Sequence, residues 1–136
     1  MNFVTDRTAM DTAAQNEKGT YGCADLNRVE ENTGALALAI REQGFLLPEM
    51  SSKTDWHLTE IFSAEEWPTA QQMERYLGNV RTVCQYYGLD AALPETMEHL
   101  TWEGANQIEQ ALQSLKRYID NTQQGAPLCG VPRCGG

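Results

Sequence analysis

Histidine is scarce in this chain, and with it most routes to acid–base or metal chemistry. The 136 residues hold two, His57 and His99. No HxxxH, HExxH or CxxC spacing occurs, the patterns that bring zinc ligands to one ion. Cys129 and Cys134 share an LCGVPRCGG segment that offers no further ligand, whereas structural zinc takes four. The expectation is therefore no metal and no other cofactor. Long apolar runs are missing too: the longest, around Gly34–Ile40, falls far short of the ~18 residues of a spanning helix, so membrane insertion is not expected. The opening MNFVTDRTAMD carries acid where a secretory leader has bases followed by an apolar stretch, and it does not read as a signal peptide. Without an export signal, four cysteines are a weak basis for a disulfide framework. Basic charge is also short, with 10 Lys and Arg against 19 Asp and Glu and a formal net charge of −9. Such a surface repels phosphate backbones, and Lys116–Arg117 are the only adjacent bases, so nucleic acid is not an expected partner.

The remaining catalytic candidates have simpler readings. Cys84 lies on an apolar helical face beside Val80 and Tyr87, and Cys23 borders a helical pattern; both read as small buried residues rather than nucleophiles. The pairs Glu30–Glu31 and Glu65–Glu66 point about 100° apart on a helix and do not face each other, so a solvated face explains them better than an acid–base dyad. No enzymatic activity is expected.

What the chain does have is helical periodicity. In YGCADLNRVEENTGALALAIREQG, from Tyr21 to Gly44, residues Leu26, Val29, Thr33, Leu36 and Ile40 recur at steps of three and four. Asn27, Arg28, Glu30, Glu31, Asn32, Arg41 and Glu42 make the opposite, wet face, and Gly44 suits a left-handed cap. Residues 5–18 predict a short first helix with a Thr8–Asp11 capping box. From Phe45 to Trp67 the period is lost, which predicts an extended connector pinned by aromatics, with a helical turn near Ala64–Trp67. Thr69 and Gln72 form a second capping box, Met73, Leu77, Val80, Cys84 and Tyr87 continue one face, and Gly88 supplies the stop. After a turn at Leu89–Pro94, Glu95–Leu100 predicts a single helical turn. Thr101 then caps a last helix with Trp102, Ala105, Ile108, Leu112, Leu115 and Ile119 on one side.

The expected fold is all-α, a small bundle of three longer, antiparallel helices near 24–43, 69–87 and 101–122 plus the short N-terminal one. The helical domain covers 1–124 and a Gly/Pro/Cys tail covers 125–136. Leu36, Ile40, Leu77, Val80, Ile108 and Leu112 should be mutually buried. Asn79 and Asn106, poor helix formers in mid-helix, should hydrogen-bond across the bundle. Arg28 should reach Asn32 or an acid on a neighbouring helix, and Asp55 can cap the turn leading through Trp56. Trp56, Trp67 and Trp102, with Tyr21, Tyr76, Tyr86 and Tyr87, read first as plugs between helices and connector, and second as an exposed stacking platform.

Taken together, DRTAMD, KGTYGCADLNRVEENTGAL, KTDWHLTEIFSAEEWPTAQQMERYLGNVRTV and LPETMEHLTWEGANQIEQAL resemble a helical module of virion structural proteins from phages and prophages of Gram-positive bacteria. The resemblance spans about residues 5–115 and keeps the family's order: DRT-x-x-D, Y-x-x-x-DLNRVE, KTDW, P-T-x-x-x-M-x-RYL-x-N-V and LTY-x-x-AN-x-IE. Ala24 stands where the family usually has Ser or Thr, so Asp25 is left to cap the helix. Trp102 replaces the usual Tyr, IFSAEEW is bulkier than the family's connector, and LCGVPRCGG has no counterpart. The resemblance implies a non-enzymatic virion component of the tail, baseplate or fibre region, made in the host cytoplasm and acting through contacts with other virion proteins or with itself. Leu128, Val131 and Pro132 of the tail, with Trp56 and Trp67, are the candidate interface residues. The alternative is a receptor- or glycan-binding accessory module that uses exposed aromatics to hold a host-surface glycan.

Overall fold

A computed structural model describes residues 1–14, 22–56 and 69–123. They form four helices: α1 (Ala9–Ala14), α2 (Cys23–Glu42), α3 (Ala70–Tyr86) and α4 (Trp102–Gln123). No strand occurs among the described residues. The three longer helices lie where the apolar period placed them, and the six expected core residues are each no more than 2% exposed. With Val29, Tyr76, Val83, Leu115 and Ile119 they make one continuous core.

The helix ends follow local chemistry. Thr8 Oγ1 accepts the Asp11 amide proton while Asp11 Oδ2 accepts that of Thr8. Thr69 and Gln72 exchange the same pair of bonds. Thr101 Oγ1 accepts from the Gly104 amide. At α2 the first helical residue is Cys23, and only one half of a capping box exists: the Gly22 amide donates to Asp25 Oδ2 at 2.8 Å. Asp25 thus takes the cap that Ala24 cannot supply. Gly44 (φ +97°) and Gly88 (φ +82°) close α2 and α3 with matching C-terminal motifs. Phe45 and Leu89 donate back to Ile40 and Cys84, and each glycine donates to the residue three before it.

Two expectations about regular structure change. The first helix is six residues rather than residues 5–18, because residues 1–8 serve as an extended strap; residues 15–18 lie outside the described part. Residues 95–100 hold bends and a turn but no helix, with His99 at φ +56°.

The larger correction is direction: the three helices run parallel. Near their starts, Arg75 of α3 binds Glu30 of α2, and Arg28 of α2 binds Glu109 of α4. At their ends, the Tyr87 hydroxyl lies 3.1 Å from both Gln43 Oε1 and Thr122 Oγ1. The connections explain how this is possible. Antiparallel neighbours need only ~2–8 linking residues. A chain returning along a ~30 Å helix needs at least about nine extended residues, and both connections exceed that.

Extended chain therefore runs back beside the helices. Strap 1, residues 1–8, lies between α2 and α4: Asn32 Nδ2 donates to Asn2 O, the Val4 amide to Glu109 Oε1, and the Arg7 amide to Asn106 Oδ1. Strap 2, residues 48–56, lies between α2 and α3, with Pro48 O held by Arg41, Ser51 O by Asn79 and Arg75, and the Trp56 backbone by Asn27. Strap 3, residues 89–100, packs Leu89, Leu93, Met97 and Leu100 against the core beside α3 and reaches α4 at Gly104. Asn79 and Asn106 thus bind straps, not the facing helices.

Candidate functional site

The straps bring charged side chains into the interior at two places. The first network joins strap 1, α2 and α4. Glu109 is fully buried, and each of its oxygens accepts two bonds: Oε1 from the Val4 amide and Arg28 Nε, Oε2 from an Arg7 and an Arg28 guanidinium nitrogen at 2.6 Å each. Asp25 Oδ1 accepts from the same two arginines, at 3.1 and 2.6 Å. Asn106 clamps the Arg7 backbone by both its amide and its carbonyl. Among the described residues two arginines face two carboxylates, whose charges balance.

The second network joins α2, strap 2 and α3. Glu30 is 3% exposed and also fully engaged. Its Oε1 accepts from the Lys53 amide and Arg75, its Oε2 from the Trp56 indole N–H and Arg75. Asn27 pairs with the Trp56 backbone through both amide groups, at 2.7 and 2.9 Å.

The electrostatics follow from these bonds. Hydrogen bonding to Glu109 is the largest influence on Arg28 and raises its pKa against the opposing effect of burial. Arg75 is raised likewise, first by its bonds to Glu30. Both guanidinium groups therefore stay charged wherever the protein is folded. A general acid or base needs a lone pair or a proton turned towards a substrate. Glu109 and Glu30 have every lone pair committed inside the protein, so their geometry serves cohesion.

This corrects the reading of α2. Glu30 and Asn32 are buried, and Asn27 and Arg28 are half-buried, because straps 1 and 2 cover the face that its polarity assigned to water. Glu31 is exposed as expected. Arg28 reaches the acid on the neighbouring helix, not Asn32. Arg7, Asp25 and Glu109 were missed as interior residues, and Arg75 as a half-buried one. A signal existed for Glu109: it stands four residues after Ala105 and three before Leu112, within the apolar stripe.

Trp56, a candidate interface residue, is 5% exposed and sits in the core with its indole bonded to Glu30. It presents no face to a partner or a glycan, and the stacking-platform reading loses it. Trp67, Leu128, Val131 and Pro132 lie outside the described residues, as do Glu65, Glu66, His57, Cys129 and Cys134. His99 is exposed beside Glu98. Among the described residues no three His, Cys, Asp or Glu side chains gather where they could hold a metal ion, and no helix is long and apolar enough to cross a membrane.

Cys84 is buried, and burial pushes its thiol up to about 11 from the ordinary 9.0. A raised folded-state pKa gives stability that is full below pH 9 and is lost as pH rises towards 11. Wild type should therefore lose about 2–3 kcal/mol more than Cys84→Ala between pH 8.5 and 11. Parallel urea titrations of the two proteins check this, and equal losses would place Cys84 in contact with water.

Compared with protein-family models, with curated proteins and with solved structures, the chain matches none of them.

Proposed function

We propose that this protein is a non-enzymatic structural component of a phage virion, associated with the tail, baseplate or fibre and acting through protein–protein contacts. One observation carries the reading: the side chains of the two networks, and those that hold the straps beside them, all belong to motifs of the family resemblance. DRTAMD supplies Arg7; DLNRVE supplies Asp25, Asn27, Arg28 and Glu30; KTDW supplies Lys53 and Trp56. RYLGN supplies Arg75 and Asn79, and ANQIE supplies Asn106 and Glu109. A motif set spent on locking straps to helices defines a rigid building part, as a particle component requires, and leaves surfaces and termini free to vary between partners.

The C-terminal tail is the proposed arm, with Leu128, Val131 and Pro132 contacting a neighbouring chain in the particle. Its Gly- and Pro-rich composition offers little apolar surface to offset the entropy of ordering within one chain. Quantitative mass spectrometry of gradient-purified particles tests both statements. The full-length protein should be present at a fixed ratio to the tail proteins across preparations. Deletion of residues 125–136 should shift the melting temperature by less than about 2 °C, since the described helices and networks do not draw on it, yet reduce incorporation severalfold. Recovery only in the soluble lysate would overturn the virion role. A truncated protein that melts far lower would show that the tail belongs to its own domain.

A further inference from the structure

Between the first half of α3 and strap 3 lies a cleft of about 670 Å³. Its inner wall is apolar: Met73, Leu77 and Met97 are partly or wholly buried. Its rim is net acidic, with Glu74 on α3 and Glu95 and Glu98 on the strap, all exposed, against one half-buried cation, Arg81, whose guanidinium donates to Pro94 O. Unlike the carboxylates of the two networks, Glu74 and Glu95 join no ion pair among the described residues, and Glu98 has only His99 at 4.0 Å. The α3 side of the cleft runs from Ala70 to Arg81, about 16 Å at 1.5 Å per residue. That is the length of about five extended residues, so the cleft is a groove and not a point site.

We propose that this groove docks a cationic peptide segment of a partner protein, with basic side chains on the three glutamates and apolar ones between Met73 and Met97. Charge complementarity selects a basic occupant. Two methionines give a wall that adapts to differing apolar side chains. The inference does not rest on a virion role; it concerns the chemistry of the contact, whichever assembly supplies it.

The probe is a labelled Lys-Leu-Lys-Leu-Lys-Leu peptide, titrated against the full chain by fluorescence anisotropy, with methionine-methyl NMR of the same samples. Glu-Leu repeats and spermine serve as controls. Binding should move the Met73 and Met97 methyl signals. Glu74→Lys with Glu95→Lys should weaken it at least about tenfold, while Glu42→Lys with Glu49→Lys, an equal charge change at exposed sites elsewhere, should alter it less than about threefold. Equal weakening by the two double variants would reduce the effect to net charge and overturn the proposal. Methionine signals that stay still, or spermine displacing the peptide at equal concentration, would overturn it as well. The methyl spectrum also reports whether each variant is folded.

Discussion

Replacing Glu109 by alanine should destabilise the fold by about 3–5 kcal/mol, the usual cost of leaving buried charges without their counter-ion. Two arginines and the Val4 amide would lose their acceptor together, and Asp25 alone cannot neutralise both guanidinium groups. Glu109→Gln should lose most of the same energy although its shape is unchanged, because its NH2 group would face guanidinium donors. Removing the partner as well should relieve part of the damage. Arg7→Met with Glu109→Leu should therefore cost about 1–3 kcal/mol less than the two single changes added together. Urea unfolding of the four proteins provides the cycle. A Glu109→Ala cost below about 1 kcal/mol would mean that water reaches the cluster and that strap 1 is not fixed by it.

Glu30→Ala should be nearly as damaging, at about 3–5 kcal/mol, for a related reason. The carboxylate is the meeting point of three elements, and its removal leaves the Lys53 amide and the Trp56 indole without their acceptor and Arg75 with Ser51 O alone. Two milder variants divide the effect. Trp56→Phe keeps most of the ring volume and removes the indole N–H, which should cost about 1–2 kcal/mol plus a small packing loss. Arg75→Lys keeps the charge but cannot bind both oxygens in the paired geometry, and should fall between the two. If Trp56→Phe proved as costly as Glu30→Ala, ring packing rather than the carboxylate would be what holds strap 2.

How much of this was legible beforehand depended on the kind of signal. Apolar spacing located α2, α3 and α4 within a residue or two, because burying a stripe is the main reason such helices exist. Capping chemistry is local, so Thr8–Asp11, Thr69–Gln72, Gly44 and Gly88 were readable directly. Helix direction was not, since a stripe packs equally well either way up. The clue lay in connector length, where residues 43–69 and 87–101 are far longer than a hairpin between helices needs. The buried networks were hidden for a related reason. A charged residue beside an apolar stripe is normally solvated, and Glu30 and Glu109 are buried, and Arg75 half-buried, only because extended straps cover them. Straps carry no periodicity, so the residues that recognise them looked like surface. Asn79 and Asn106 were the exceptions, because asparagine in mid-helix calls for a partner.

The parallel, strap-bound arrangement is most directly tested by electron-spin distances between labels on exposed helix positions. With the four native cysteines replaced, one protein carries labels at Leu38 and Tyr118, and a second at Leu38 and Glu103. Tyr118 and Glu103 stand about 22 Å apart along α4, which makes the order of the two distances decisive. Leu38 lies late in α2, so parallel helices place it nearer Tyr118 than Glu103, by roughly 10 Å or more. The reverse order, with Glu103 the nearer, would make the helices antiparallel and contradict the account.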